Sequence, residues 1–231
     1  MAWIEKAKER AAAEAVKLVE DGFVIGLGSG STVAYAIQEI GRKIKTEKLR
    51  VLGVPTSHQA SMLAVKNGIP LTTLNENPQV DLAIDGADQI DKKLNLIKGM
   101  GGALTREKIV ASAAKKVVIV ADETKLAENL GVNQQVPVEV LPFALTAVML
   151  KIRKIEGKPV LREAKGKVGP VVTDNGNFIV DVDFGLIKAP KQLDLQIKRM
   201  PGVIETGLFI EMADTAYIGT KTTVEEHERP L

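Results

Sequence analysis

Cysteine is absent from all 231 residues, which excludes a disulfide framework and a thiolate nucleophile and weakens any case for structural zinc. Histidine is nearly absent too: His58 and His227 lie far apart, and neither stands beside the acidic motifs described below. Aromatic residues make up 3% of the chain and are not interleaved with basic ones, so there is no stacking platform for nucleic acid. Charge of one sign is also lacking. Thirty-one Lys and Arg nearly cancel 29 Asp and Glu, leaving +2, and the charges are scattered, so neither a nucleic-acid stripe nor a polybasic membrane face is expected. No apolar run approaches the roughly 20 residues of a membrane span, and the start lacks the apolar core of a signal peptide. The expectation is a cytoplasmic enzyme that meets any anionic ligand with local groups.

With 45% hydrophobic and 26% charged residues, the chain is long enough for one large core, or for a main domain with a smaller partner. Ala2 to Glu20 carries Ile4, Ala7, Ala11, Ala15 and Leu18 at helical spacing, with Gly22 as a stop. Phe23 to Leu27 is a short apolar run, followed by Gly28-Ser29-Gly30-Ser31-Thr32 and a helical pattern from Val33 to Ile44. The alternation continues through strand-like Val51 to Val54, helical Ser57 to Asn67, strand-like Ile69 to Thr73 and Val80 to Ile84, helical Thr105 to Ala114 and strand-like Lys116 to Val120. Repeated βα units predict an α/β fold with a doubly wound, mostly parallel, Rossmann-like sheet, whose ligands sit beyond the carboxyl ends of the strands.

After about Gly131 the rhythm changes. Pro137 to Val140 is strand-like and Ala144 to Ile155 helical; Val171 to Thr173 and Phe178 to Val180 flank Asp174-Asn175-Gly176 in a hairpin pattern. A helix over about Lys191 to Met200 follows, with Leu195, Ile197 and Met200 as packing positions, and then Val203 to Leu208. These elements suit a small α+β domain over 131–205, with 1–130 and 206–231 forming the Rossmann-like one. Ala216 to Gly219 can return to the main sheet, and Glu225, Glu226, Glu228 and Pro230 read as a loose tail with no assigned role.

Three loops carry the chemistry. In Gly26-Leu27-Gly28-Ser29-Gly30-Ser31-Thr32, glycines let backbone N–H groups approach an anion, hydroxyls add donors, and the helix behind adds positive potential. The run suits a phosphate; it equally serves as a tight βα turn for packing. It departs from G-x-G-x-x-G at Ser31 and lacks a Walker lysine. Asp85 and Asp88 in Asp85-Gly86-Ala87-Asp88 end an apolar strand, where a carboxylate must cap backbone, pair with a cation or meet a ligand; in isolation the run also reads as a turn with solvated acids. In Lys98-Gly99-Met100-Gly101-Gly102-Ala103-Leu104-Thr105-Arg106-Glu107, glycines present amides, Thr105 can cap a helix, and Glu107 falls in its first turn, where a carboxylate is favoured. A base beside a lysine and backbone donors is what proton transfer next to a carbonyl needs; taken alone, Glu107 is also an ordinary first-turn acid. His58, after Pro55-Thr56-Ser57, is read as a satisfied loop or cap histidine. Trp3, Phe23, Phe178 and Phe209 are read as core or interface.

Together with Val171-Val172-Thr173-Asp174-Asn175-Gly176-Asn177, these motifs resemble, in order and spacing, the A-type ribose-5-phosphate isomerases, over roughly residues 5 to 220. The resemblance implies interconversion of ribose 5-phosphate and ribulose 5-phosphate through a cis-enediolate, in the non-oxidative pentose phosphate pathway, with no cofactor and no metal. It implies Glu107 as the proton-transferring base, Asp85 and Asp88 in ring opening and in holding sugar hydroxyls, and Lys98 at the oxyanion. Ser29, Gly30, Ser31, Thr32, Gly86, Ala87, Gly99, Met100, Gly101 and Lys125 are implied substrate contacts, with Lys8 on the first helix as a further phosphate contact. Met100 and Gly102 depart from the usual K-G-G-G-A-A run. The partner implied is a small sugar phosphate, without nucleic acid or membrane, and the chain is expected to form a homodimer or homotetramer. An amino-sugar-phosphate deaminase would need a histidine near the acids. A non-catalytic sugar-phosphate sensor of the same fold is the alternative, and the chain has only about 20 residues ahead of its first strand for a helix-turn-helix.

Overall fold

The computed structural model describes residues 2–230. The chain divides into two packing units: Met1–Ala87 with Arg106–Lys125 and Glu211–Leu231, and Asp88–Thr105 with Leu126–Ile210. The helix Leu104–Ser112 carries the chain from the second into the first.

The first unit contains α1 (Ala2–Val16), β1 (Val24–Leu27), α2 (Ser31–Glu47), β2 (Leu52–Pro55), α3 (His58–Lys66), β3 (Val80–Asp85), most of α4 (Leu104–Ser112), β6 (Ala114–Asp122), β12 (Thr215–Gly219) and β13 (Val224–Glu228). Its six-stranded sheet runs β13-β12-β6-β3-β1-β2. All neighbours are parallel except β12 and β13. Because parallel strands are covered on both faces, they are built from near-continuous apolar runs: Ile25, Leu27, Ile84, Val118 and Val120 are buried together with Ile37 and Ile40 of α2. On the register Leu27 pairs with both Pro55 and Ile84, and Asp85 with Ile119, so the carboxyl ends of β1, β2, β3 and β6 share one edge.

α4 connects β3 to β6 and therefore runs antiparallel to them. It packs closely on β1: a Cβ added to Gly26 would stand 2.5 Å from Val110 Cγ1. α1 ends at Val16, short of Glu20, because 17–18 form a turn. The expected strand over Ile69 to Thr73 reduces to one bridge, Gly53 to Leu71, with Gly53 N–H on Pro70 O and Thr72 N–H on Gly53 O; Pro70 has no N–H to extend it. The expected loose tail is instead β13, paired antiparallel with β12 from Thr215–Glu228 to Gly219–Val224. Its acidic residues are what an edge strand tolerates, and Tyr217 Oη donates to Glu226 at 3.2 Å while Arg229 pairs with Asp214 at 2.9 Å.

The second unit holds β4 (Gln89–Ile90), β5 (Leu96–Ile97), β7 (Val136–Val140), α5 (Leu145–Lys154), β8 (Lys158–Leu161), β9 (Phe178–Asp183), α6 (Pro190–Lys198), β10 (Val203–Thr206) and β11 (Leu208–Phe209). An antiparallel sheet β10-β7-β9-β8 buries Val138, Val140, Val180 and Val182 against Val148 and Ile152 of α5 and Ile197 of α6. Leu195, expected to pack, is 49% exposed; it lies two residues from Ile197 and so on another side of the helix. β11-β5-β4 form a small second sheet. This pairing draws Asp88–Thr105 into the second unit, although sequence order alone leaves it in the first.

The expected hairpin around Asp174-Asn175-Gly176 is a turn with one bridge, Val172 to Phe178. β9 already has β7 on one side and β8 on the other from Val180 to Asp183, so only its first residues are left for Val172.

Candidate active site

In the first unit, the loop after β1 is fastened to the end of β3. Gly28 N–H donates to Ile84 O at 3.0 Å, and Asp85 Oδ1 accepts from the N–H of Ser29 at 3.2 Å and of Gly86 at 2.7 Å. Asp85 is 6% exposed. A Cβ at position 28 would stand 2.2 Å from Asp85 Oδ1, so the close approach of loop and carboxylate requires glycine there. Gly86 and Ala87 follow, half-buried.

Ser29 Oγ lies 2.8 Å from Thr56 Oγ1 and donates to Ser57 Oγ at 2.6 Å; Gly30 N–H donates to Gln59 Oε1 at 3.1 Å. Gly30 is the N-cap of α2, at φ 108°, and offers no side chain to bond the first turn. The amides of the turn holding Ser31 and Thr32 therefore begin α2 without a side-chain cap, the geometry in which a helix start receives an anion. Lys8 Nζ reaches over from α1, donating to Ser31 Oγ at 3.2 Å and to Glu5 at 2.9 Å. That bond from Lys8, and then one from Tyr35, hold the Glu5 carboxyl below the ordinary glutamate value, while Glu5 raises the Tyr35 phenol. Lys125 sits half-buried in the 3-10 turn Glu123–Lys125 that follows β6 on the same edge.

Glu107 lies in the first turn of α4 and is 6% exposed. Val110, three residues on, rests on Gly26. Since α4 runs against the strands, Glu107 stands one helical turn nearer the edge that carries Gly28 and Asp85. Thr105 is not its cap. The helix starts one residue earlier, and Thr105 Oγ1 donates to Glu139 instead.

In the second unit, Asp88 N–H donates to Ile97 O at 2.9 Å, and its Oδ2 accepts Met100 N–H at 3.0 Å. Lys98 is 3% exposed, its Nζ 5.4 Å from the centre of the Phe209 ring and its N–H on Gly207 O at 2.8 Å. Gly99 to Gly102 close a turn through Gly102 N–H on Gly99 O at 2.9 Å. Met100 is half exposed, and Gly101 is exposed.

Several supporting residues carry no local sequence signal. Arg162 Nη1 donates to the carbonyls of Gly99 and Met100, each at 2.9 Å, and its Nε donates to Asp181 at 2.7 Å. Glu139 of β7, fully buried, accepts from Thr105, from Thr173 at 2.8 Å, from Asn175 at 3.1 Å and from Asn177 at 2.8 Å. Ser57, expected as the first residue of the helix, is instead its cap: its Oγ accepts the Ala60 N–H at 3.1 Å, and His58 is the exposed first helical residue. Among the described residues no group of three or more His, Asp or Glu is placed to hold a metal ion, and no helix is long and apolar enough to cross a membrane.

The family model described as ribose 5-phosphate isomerase A (phosphoriboisomerase A) matches residues 52–223. A ribose-5-phosphate isomerase A of Methanosarcina acetivorans is 55% identical over 93% of this chain and 90% of its own length; that of Thermococcus kodakarensis is 45% identical over 98% and 99%. Among solved structures, a D-ribose-5-phosphate isomerase in complex with phospho-erythronic acid superposes with TM-score 0.96 at 44% identity, covering 98% of this chain and 99% of the other. The ribose 5-phosphate isomerase A of Methanocaldococcus jannaschii gives 0.94 at 46%, covering 97% and 99%.

Proposed function

The chain belongs to the ribose 5-phosphate isomerase A family and is an aldose-ketose isomerase of ribose 5-phosphate, and we propose that Glu107 carries the proton in its reaction. The observation that supports this most is the placement of Glu107: a nearly buried carboxylate on the first turn of α4, held level with the strand ends by Val110 on Gly26.

In the proposed reaction, Asp85 and Asp88 assist opening of the sugar ring and hold its hydroxyls. Glu107 removes the C2 proton of the open-chain aldose; the electron pair moves into a C1–C2 double bond, and the aldehyde oxygen becomes the enediolate oxyanion. Lys98 and the amides of Gly99 and Gly101 are the donors for that charge, while the Met100 N–H holds the Asp88 carboxylate. Proton transfer between the two oxygens and return of the Glu107 proton to C1 give the ketose, so one carboxyl serves both half-steps. The 5-phosphate is met by Ser29, Gly30, Ser31 and Thr32 with Lys8 and Lys125. It contributes orientation rather than chemistry. The uncapped start of α2 and the Lys8 bond to Ser31 support that part.

The finer expectations belong to the same reading: an enzyme of the cytoplasm, fitting the lack of cysteine, assembled as a homodimer or homotetramer through the second unit, where Phe143 is 97% exposed. The test is ketose formation from ribose 5-phosphate in EDTA. Conversion is the expected result; binding of the sugar phosphate without conversion would leave a sensor and refute the mechanism.

A further inference from the structure

We propose that Arg162 is a positioning residue for this reaction: through one peptide group it fixes the carboxylate of Asp88 and the donor directions of the glycine run after Lys98. The inference rests on the isomerase reading above.

Every contact it uses lies within the second unit. Arg162 follows β8, and its side chain is 13% exposed, beside an Asp181 side chain that is 12% exposed. Nε and Nη2 of the guanidinium engage the two Asp181 oxygens in a fork. That leaves Nη1 aimed at the loop, where it donates at 2.9 Å to both Gly99 O and Met100 O.

A trans peptide directs its N–H opposite to its C=O. Holding the Gly99 carbonyl on Arg162 therefore turns the Met100 N–H the other way, and it is found on Asp88 Oδ2 at 3.0 Å. The continuous line is Asp181, Arg162, the Gly99–Met100 peptide, Asp88. Each bond polarises the next. Holding the Met100 carbonyl sets the Gly101 N–H by the same rule. A run with three glycines in four positions has many conformations of its own; here two carbonyls are pinned from one side and one amide from the other.

The choice of residue follows from geometry. Bonding both oxygens of a carboxylate while reaching two carbonyls takes the planar, five-donor guanidinium; a lysine ammonium is a single point with three donors. A nearly buried ion pair is weak evidence for stability, so its attachment to the backbone of the substrate loop is the more informative feature. Asp88 and the loop amides are the groups whose placement the proposed reaction needs, and an error of about 1 Å in such groups costs about 100-fold in rate.

The test compares wild type with Arg162→Ala and Arg162→Lys. Steady-state kcat and KM for ribose 5-phosphate are measured with and without millimolar guanidinium chloride, beside the thermal unfolding temperature and the affinity for 4-phosphoerythronate. Arg162→Ala is expected to lose about 100-fold in kcat with KM within about threefold, to bind the aldonate more weakly, and to regain activity with guanidinium. If the alanine variant does not fold, Arg162→Lys decides, with at least a tenfold loss of kcat expected at an unchanged unfolding temperature. A kcat within threefold of wild type in the variant that folds would overturn the proposal, as would a loss in the alanine variant that follows its unfolding and is not rescued. A wild type without turnover would refute the isomerase reading instead.

Discussion

Truncating Glu139 should damage the second unit more than any other single polar change there. Its carboxyl group is fully buried on β7 and serves Thr105, Thr173, Asn175 and Asn177 at once. In Glu139→Ala these four donors lose their acceptor. One buried donor left unsatisfied costs about 1–3 kcal/mol; four independent losses would overshoot, because they share one cavity that relaxes or admits water. The equivalent of two to three such losses, about 3–5 kcal/mol, is therefore expected. At about 2–4 °C per kcal/mol for a chain of this size, the unfolding temperature should fall by about 6–20 °C. Glu139→Gln keeps the volume but turns an NH2 group toward donors, so a loss of about 1–3 kcal/mol is expected. Thermal unfolding followed by circular dichroism reads both. If the alanine variant melts within about 2 °C of wild type, the network does not carry the stability assigned to it.

Gly28→Ala should lower kcat by about 100-fold or more, because the new Cβ would stand 2.2 Å from Asp85 Oδ1 and 2.7 Å from its Cα and must displace the carboxylate proposed to assist ring opening; unchanged kinetics would refute the role given to that close approach. Asp81 accepts from Lys115 at 2.7 Å and from Val24 N–H at 2.8 Å, and these bonds, Lys115 first, lower its carboxyl below the ordinary aspartate value. Its folded value lies below its unfolded one, so its contribution is full above the ordinary value and is lost as the pH falls through the lowered one. Denaturant titrations of wild type and Asp81→Asn should therefore differ at pH 7, and the difference should shrink as the pH falls below the ordinary aspartate value; a constant difference would contradict the assignment.

The first unit was largely legible because its strands repeat one physical pattern. Phe23 to Leu27, Val80 to Ile84 and Lys116 to Val120 are apolar apart from Asp81 and Lys116 near their starts, as strands buried on both faces largely are, and each precedes a turn rich in glycine or acid. The loops at those ends carry Ser29 to Thr32 and Asp85, so candidate residues followed from topology. Glu107 was legible as a first-turn acid, but its level on the sheet depends on Val110 meeting Gly26. What stayed hidden depends on partners distant in sequence. Arg162 is 63 residues from the Gly99 carbonyl it holds, and Glu139 is 34 from both Thr105 and Thr173. The tail misled for a related reason: Glu225, Glu226 and Glu228 read as solvated chain until β12 offers an edge to pair with. Thr105 misled because a threonine near a helix start fits a cap, whereas a buried acceptor on another strand claims its hydroxyl.

The most direct measurement is exchange of the C2 hydrogen of ribose 5-phosphate with solvent in D2O, followed by proton NMR, for wild type and Glu107→Gln. The account predicts washout of the C2 signal alongside ketose formation in wild type. In the glutamine variant both should be lost while the sugar phosphate still binds. Washout at the wild-type rate in Glu107→Gln would show that another group removes the proton and would contradict the mechanism.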